Sequence, residues 1–198
     1  MSDTKERILL AALRLFAADG YEAVSVSDIA GALGMTKAAL YKHYKNKRDI
    51  FDHILARMEQ RDAEEAGEYE LPQGTLAEME DAYREATVEH IVSFSREMFR
   101  YWTQDDFAAP FRRMLTLEQY RSTEMGALYQ QYLAAGPLGY VADLLGALGV
   151  PEPRRRAAEF YAPMFLLYSV YDGAEDQQAV LSLLDDCLEN ARRQLEMR

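Results

Sequence analysis

The sequence of 198 residues predicts an all-α fold. Apolar residues recur at helical spacing in nearly every segment, so that successive segments each carry one apolar face. The alternating runs that are typical of strands are nearly absent, and no hairpin dipeptide lies between two such runs. Glycines and capping residues between the apolar segments mark where one helix ends and the next begins.

Three short helices are predicted at the N-terminus. Gly20 stops the first helix, which begins at about residue 3 and continues to about residue 18. Ser25 opens the second helix, with Asp28 three residues later, as in a capping box with a short acid. Gly34 ends this helix, and Thr36 can cap a third helix after only a tight turn. A helix, a glycine turn and a short helix are the elements of a helix-turn-helix.

Longer helices are predicted along the rest of the chain. The fourth begins at about Lys47, and a capping box of Thr75 and Glu78 opens the fifth. Gly136 and Pro137 mark a kink or a break between two later helices. The predicted ranges are about 47–66, 75–103, 106–121, 123–135, 137–148, 152–172 and 175–196.

Positive charge is concentrated in one short stretch of an acidic chain. The window Thr36–Arg48 holds five basic residues and no acid, whereas the whole chain carries a formal charge of -11. Residues 1–50 have a net charge of +2, and the remaining 148 residues have a net charge of -13. Nucleic-acid binding requires basic groups near phosphates and not a basic total. The imbalance therefore predicts a small nucleic-acid-binding head on a larger acidic body.

The predicted third helix has two different faces. Leu40 and Tyr44 share one face, which can pack on the other helices. Small side chains on the opposite face permit close approach to a major groove, and lysines there can meet phosphates or guanine edges. The lysines alone leave open the alternative of a solvated surface. The residues of this opposite face are Ala38, Tyr41, Lys42 and Lys45.

Residues 5–51 resemble the DNA-binding domain of TetR/AcrR-type transcriptional regulators. The matching segments are ILLAALRLFAADGY and VSVSDIAGALGMTKAALYKHYKNKRDIF, whose order, spacing and residue types follow the family pattern over about 45 residues. The resemblance implies an N-terminal three-helix head, residues 1–47, that binds DNA through its helix-turn-helix. It also implies a helical body, residues 48–198, that binds an effector and dimerises.

The resemblance implies a set of DNA contacts. The start of the third helix would face base edges and the nearest phosphates, and Tyr41 would place its hydroxyl on a phosphate. Lys47 would meet a phosphate at the N-terminus of the fourth helix. His43 as a packed surface residue, and Ser25 and Thr36 as plain caps, remain alternatives. The implied DNA-binding residues are Ser25, Ser27, Thr36, Lys37, Ala38, Tyr41, Lys42, His43 and Lys47.

The body is rich in aromatic residues and methionine. In the resembled family the middle helices enclose a cavity for a small molecule, and such side chains suit a lipophilic or aromatic effector. Ordinary core packing is the alternative for each single residue. The residues implied for effector binding are Phe94, Met98, Trp102, Phe107, Phe111, Met114, Tyr129, Phe165 and Tyr168.

The last two predicted helices have wider apolar surfaces than docking on their own chain requires. Members of the resembled family pair these two helices with those of a second copy in a four-helix bundle. Pro163 inside the first of them departs from the pattern and predicts a kink. The residues implied for dimerisation are Phe160, Met164, Leu167, Leu184, Leu188 and Ala191.

These features together predict a homodimeric transcriptional regulator, a repressor that a small effector releases from a palindromic DNA operator. A second hypothesis is a ligand-independent DNA-binding dimer that recruits a protein partner. An enzyme has little support because His43, His53 and His90 are far apart and no metal, phosphate-loop or nucleophile motif is present. We therefore predict no catalytic residue, no cofactor and no metal, and we predict that Cys187 is a buried structural thiol.

The sequence also predicts where the protein is located. A single cysteine allows no internal disulfide, as is usual in a reducing cytoplasm. No apolar run approaches the roughly 18 residues of a membrane span. The N-terminal segment is an amphipathic helix and not a signal peptide. A soluble cytoplasmic protein without a membrane partner is expected.

Overall fold

The computed structural model of the chain describes residues 3–68 and 87–197. Within these residues it contains helices and no strands, which confirms the predicted all-α fold. The predicted capping box of Thr75 and Glu78 lies outside the described residues. The helices are α1 (Asp3–Asp19), α2 (Val26–Ala32), α3 (Lys37–Leu40), α4 (Lys47–Glu68), α5 (Val88–Gln104), α6 (Ala108–Glu118), α7 (Thr123–Leu133), α8 (Ala135–Ala147), α9 (Pro153–Gly173) and α10 (Gln177–Glu196).

The chain divides into two compact units. Unit 1 comprises Met1–Glu64 and Asp105–Tyr129, and unit 2 comprises Glu65–Gln104 and Gln130–Arg198. The N-terminal helices therefore share a unit with α6 and the first part of α7. The predicted division after residue 47 separates a DNA-binding role from the other roles, and it stays a prediction. Among the described helices, none is both long enough and apolar enough to cross a bilayer.

In unit 1, α1 packs against both α2 and α6. Its inward side is fully buried, as its helical spacing predicted, and includes Ile8, Leu9, Leu13 and Phe16. Burying one large apolar side chain of this kind stabilises the folded state by roughly 1.5–3 kcal/mol. This side of α1 therefore supplies a large part of the core on which the short helices rest.

Side-chain caps define the starts of α2 and α3. Ser25 Oγ accepts a hydrogen bond from the Asp28 N–H at 3.2 Å, and Asp28 Oδ2 accepts one from the Ser25 N–H at 2.8 Å. The predicted capping box is confirmed, and its hydrogen bonds with Ser25 lower the pKa of the Asp28 carboxyl. Thr36 Oγ1 accepts from the Ala39 N–H at 3.1 Å, which confirms Thr36 as the cap of α3.

In unit 2, α9 packs against α5, α8 and α10. The ring of Phe99 on α5 stacks on Tyr168 of α9, with 5.0 Å between centroids. The Tyr161 hydroxyl on α9 donates a hydrogen bond to the Leu133 carbonyl at 2.9 Å. Pro163 lies within α9, so the helix continues through the residue at which a kink was predicted.

The predicted break near Gly136 is present between α7 and α8. A Cβ on Gly136 would collide with the backbone carbonyl of Gln131, so that only glycine fits this close approach. Pro137 lies in the first turn of α8, where its missing N–H removes no helical hydrogen bond.

Two turns of unit 1 depend on glycines with positive φ. The φ angles are +86° at Gly20, after α1, and +64° at Gly34, after α2. A Cβ on Gly20 would lie 2.7 Å from Glu118 Oε1, whereas a Cβ on Gly34 would meet nothing within 4 Å. Both glycines avoid backbone strain, but only Gly20 also makes room for a buried side chain.

We expect Gly34→Ala to lower the free energy of unfolding by about 1–2 kcal/mol, the cost of a left-handed backbone for an L-residue. Gly20→Ala should lower it further, because the Glu118 carboxylate must also move. Urea unfolding of both variants measures the difference. Equal losses in the two variants would contradict the close contact at Gly20.

Candidate nucleic-acid interface

The helix-turn-helix of unit 1 consists of α2 and α3, and α3 is shorter than the sequence predicted. It ends at Leu40, although the hydrogen bond from the Tyr41 N–H to the Lys37 carbonyl still follows the helical pattern. The Leu40 carbonyl then accepts from the N–H groups of both His43 and Tyr44. The first of these two bonds closes a tighter turn than an α-helix has. Residues 41–43 therefore continue α3 as a tight turn.

The start of α4 explains why α3 ends early. Asn46 Oδ1 accepts from the Asp49 N–H at 2.8 Å, and Asp49 Oδ2 accepts from the Lys45 N–H at 2.7 Å. A longer α3 would direct the Lys45 N–H to the Tyr41 carbonyl. The Lys45 N–H donates instead to the Asp49 carboxylate at the N-terminus of α4. Lys45, which the sequence placed on a face of the third helix, consequently lies beyond it.

Leu40 and Tyr44 hold the back of this segment, as predicted. Both side chains are buried. The Tyr44 hydroxyl donates to the Lys5 carbonyl at 3.2 Å, and the Tyr44 ring meets His53 edge-on with 5.1 Å between centroids. Burial raises the pKa of the Tyr44 hydroxyl to about 12, and the phenol is neutral at physiological pH as in any tyrosine. A neutral, hydrogen-bonded Tyr44 can remain in the core.

The opposite side of the segment faces solvent. The Tyr41 side chain is 45% exposed, and the Lys37 ammonium lies 5.8 Å from the centroid of its ring. His43 is half-buried. Ser25 and Ser27 are exposed on and just before α2, which packs on α3. The exposed residues of the predicted contact set on α3 and its flanks are Thr36, Lys37, Ala38, Tyr41 and Lys42.

Lys47 is oriented differently from the other predicted contacts. Its ammonium donates to the Tyr21 carbonyl at 2.7 Å and to the Glu22 carbonyl at 3.3 Å. It also lies 4.3 Å from the centroid of the Tyr21 ring, a cation–π contact. The Lys47 side chain is therefore held against the turn after α1. Its contact with a phosphate stays a prediction.

Ion pairing removes part of the positive charge near this surface. The Arg48 guanidinium donates to both carboxylate oxygens of Glu124, at 2.6 and 2.7 Å, and to Asp52 at 2.7 Å. Hydrogen bonding with Arg48 lowers the pKa of the Glu124 carboxyl. Each such half-exposed ion pair contributes only about 0–1 kcal/mol to the free energy of unfolding. Within the described residues, Lys42 and Lys45 have no ion-pair partner, so their charge remains available to an external anion.

The residues predicted for effector binding are divided between the two units. Phe107, Phe111 and Met114 are fully buried in unit 1, where Tyr129 is also buried. Burial raises the pKa of the Tyr129 hydroxyl. The remaining five, in unit 2, are Phe94, Met98, Trp102, Phe165 and Tyr168.

Unit 2 contains an aromatic cluster that extends beyond the predicted set. The Trp102 ring lies 6.2 Å from Tyr132, and the Phe94 ring lies 6.2 Å from Tyr140, measured between centroids. Phe99 lies between Tyr168 and Tyr171, which it meets at 5.0 and 6.0 Å. The predicted set does not include Phe99, Tyr132, Tyr140 and Tyr171. The place of Phe99 in this cluster can be predicted from the sequence, because Phe99 lies one helical turn from Trp102 on α5.

Phe165 differs from the other aromatic residues of the predicted set. Its side chain is 43% exposed, on the outer side of α9. Its only ring contact in the described part of the chain is a tilted one with Tyr161, at 6.3 Å. Phe165 thus belongs to the surface of unit 2 and not to its aromatic interior.

Most residues predicted for dimerisation are buried within their own chain. Ala191 alone is half-buried, and the other five, Phe160, Met164, Leu167, Leu184 and Leu188, lie in the core of unit 2. The large apolar side chains that α9 and α10 leave exposed are Phe165, Leu166, Val170 and Leu183.

A shallow groove of about 100 Å³ separates the exposed edges of α9 and α10. Pro163 on one side and Cys187, Asn190 and Ala191 on the other contribute to its walls. Cys187 is half-buried there, which corrects the prediction of a buried thiol. The reason is that Cys187 lies at the edge of the apolar face of α10 and so lines the groove.

Known proteins are similar to this chain mainly in its N-terminal residues. The family of bacterial regulatory proteins described as the tetR family matches residues 8–54. The HTH-type transcriptional regulator AcrR of Shigella flexneri is 30% identical over 113 residues, which are 57% of this chain and 46% of that protein. The chain therefore matches less than half the length of that relative. Its name describes a transcriptional regulator, in agreement with the prediction that the chain is not an enzyme.

Solved structures share the fold over most of the chain. The fatty acid degradation regulator FadR from Bacillus halodurans superposes with a TM-score of 0.61 at 18% identity, covering 100% of this chain and 99% of that one. SmeT, the repressor of the Stenotrophomonas maltophilia multidrug efflux pump SmeDEF, gives 0.58 at 20% identity, covering 96% and 90%. At these identities the superpositions show a common fold. The family match itself is limited to residues 8–54, where the chain is similar to bacterial regulatory proteins of the tetR family.

Proposed function

We propose that the chain is a homodimeric repressor that binds a palindromic DNA operator and is released from it by a small lipophilic or aromatic effector. Residues 1–47 are the DNA-binding head in this proposal, and residues 48–198 bind the effector and dimerise. The observation that carries the proposal is the surface formed by Thr36–Lys42. It exposes basic and aromatic side chains while Leu40, within it, is buried.

This surface has the chemistry that a major groove requires. Ala38 permits close approach of the backbone, while Lys37 and Lys42 can reach phosphates or the acceptors of guanine. Ser25 and Ser27, exposed near the N-terminus of the neighbouring α2, add hydroxyl donors for phosphates. Phosphate contacts position the head, and only the base contacts read sequence.

The exposed side of α9 and α10 supports the dimerisation part of this proposal. Four large apolar side chains remain uncovered there, and Leu166 is 63% exposed. The shallow groove beside them can receive side chains from a second copy. Two heads at a fixed separation would read two half-sites in successive major grooves, which accounts for a palindromic operator.

The effector is proposed from the aromatic composition of the body. The clusters around Phe99 and Trp102 in unit 2, and around Phe107 and Phe111 in unit 1, offer apolar area with few polar groups. The names of the two structural neighbours refer to fatty acid degradation and to multidrug efflux, and both favour a lipophilic ligand here. Such a ligand lowers operator affinity only by its differential affinity for the two states of the dimer.

We expect Lys42→Ala to weaken binding to DNA by about tenfold or more, because each subunit loses one basic contact with the duplex. The probe is the duplex that the wild-type chain selects from a randomised pool, and fluorescence anisotropy measures its affinity. Arg154→Ala is the matched control, since it removes one exposed positive charge from the body. A wild-type chain that selects no duplex even at low salt, or equal affinities of the two variants, would contradict the proposal.

We expect Leu166→Arg to convert the dimer to a monomer, because two added charges would face each other across the two-fold axis. Light scattering should give twice 22.6 kDa for the wild-type chain and 22.6 kDa for the variant. Leu117→Arg is the control, because Leu117 is a comparably exposed leucine (50%) on α6. A monomeric wild-type chain, or dissociation by both substitutions, would argue against this interface.

Trp102 is the only tryptophan of the chain and can report on the effector. We expect dodecanoic acid or rhodamine 6G to change its fluorescence and to raise Tm by about 5 °C or more at one hundred times Kd. The same compound should release the selected duplex. If compounds of both kinds leave Trp102, Tm and DNA affinity unchanged, the partner-recruiting dimer becomes the better hypothesis.

A further inference from the structure

Glu118 is an acidic residue in the core of unit 1. Its side chain is 2% exposed at the end of α6, a helix that also buries Arg112 among its apolar residues. Burying a carboxylate is costly unless hydrogen bonds compensate for the lost water. Glu118 Oε1 accepts one such bond, from the Tyr21 N–H at 3.0 Å. The partner is a backbone amide in the turn after α1, 97 residues away in the sequence.

The turn after α1 is shaped to receive this carboxylate. Gly20 has a φ of +86°, and a Cβ in its place would lie 2.7 Å from Glu118 Oε1. The Gly20 N–H is bonded to the Phe16 carbonyl at 3.1 Å, so that the glycine closes α1. The turn therefore exposes the next amide, that of Tyr21, directly to α6.

The other side of Tyr21 is held by Lys47. The Tyr21 carbonyl accepts from the Lys47 ammonium at 2.7 Å, and the Tyr21 ring lies below that ammonium. The same ring meets Phe16 and Phe51 edge-on, with centroids 5.1 and 5.2 Å apart. Tyr21 thus connects three helices: its N–H is held from α6, its carbonyl from α4, and its ring packs on α1.

We infer that Glu118 is a positioning residue for DNA binding, which places the Lys47 ammonium by holding the main chain of Tyr21. The inference rests on the proposed function, because it takes Lys47 as a phosphate contact. Glu118 itself is buried and touches no DNA. Loss of its hydrogen bond frees the turn, and the ammonium that the turn holds then loses its position.

A purely structural role for Glu118 makes a different prediction. A substitution that only loosens the core would lower the free energy of unfolding and leave the number of phosphate contacts unchanged. The dependence of log K on log salt concentration counts those contacts, at about 0.9 for each phosphate neutralised on duplex DNA. The salt slope therefore separates positioning from stability.

The experiment compares Glu118→Leu, Lys47→Met and the double variant on the duplex selected by the wild-type chain. Lys47→Met should reduce the slope by about 0.9 for each subunit bound. Glu118→Leu should reduce the slope by a similar amount, and the double variant should lose no more than Lys47→Met alone, because the two residues act through one contact. Glu118→Gln keeps the acceptor oxygen and should restore the wild-type slope.

Hydrogen exchange gives a second reading without DNA. The Tyr21 amide should be protected in the wild-type chain and in Glu118→Gln, and should exchange faster in Glu118→Leu. Should Glu118→Leu fail to fold, Glu118→Asp serves instead, since it withdraws the carboxylate by one methylene.

Two failures can be told apart. A wild-type chain that binds no duplex overturns the proposed function, and the positioning role with it. If the wild-type chain binds the duplex, and Lys47→Met reduces the salt slope whereas Glu118→Leu leaves it unchanged, the positioning role alone is overturned. Additive losses in the double variant, or an unprotected Tyr21 amide in the wild-type chain, also overturn it.

Discussion

The burial of Leu40 and Tyr44 is the interaction on which the proposed DNA surface depends. Helix α3 has only four residues, too few to hold its own conformation in water. Its orientation therefore comes from these two side chains, which anchor it to the core formed by α1 and α4. Tyr44 adds a hydrogen bond to the Lys5 carbonyl, which fixes the ring relative to α1. Thr36–Lys42 can be exposed and still well ordered because the residues behind it are fixed.

Charge and packing act together in unit 1. Arg48 is neutralised by Glu124 and Asp52, and Lys47 is held against Tyr21, so both cations tie α4 to neighbouring elements. Lys37, Lys42 and Lys45 then carry the positive charge that remains for an external anion. The acidic remainder of the chain would repel DNA, which would confine the proposed binding to this surface.

Much of the fold could be predicted from the sequence, because helical periodicity and caps are local signals. The capping box of Ser25 and Asp28, the buried side of α1 and the helix break just before Gly136 all follow from such signals. The length of α3 does not, since it depends on whether Tyr41 or Asp49 accepts the hydrogen bond from the Lys45 N–H.

Periodicity predicts how wide the apolar surfaces of α9 and α10 are, but not which part of those surfaces is buried against their own chain. For that reason the interface residues implied by the sequence include Phe160, Met164, Leu167, Leu184 and Leu188, although these five lie in the core of unit 2. The resemblance could likewise imply Lys47 as a DNA contact, but not its hydrogen bond with Tyr21 or the buried Glu118 beyond it.

The most direct test of the central claim is the chemical reactivity of the five lysines, four of which lie in the window Thr36–Arg48. Acetylation in the presence and absence of the selected duplex, read by mass spectrometry, measures which ammonium groups the DNA covers. The account predicts strong protection of Lys37 and Lys42 and little change at Lys5. Equal acetylation of Lys37 and Lys42 with and without bound duplex would show that another surface of the protein binds DNA.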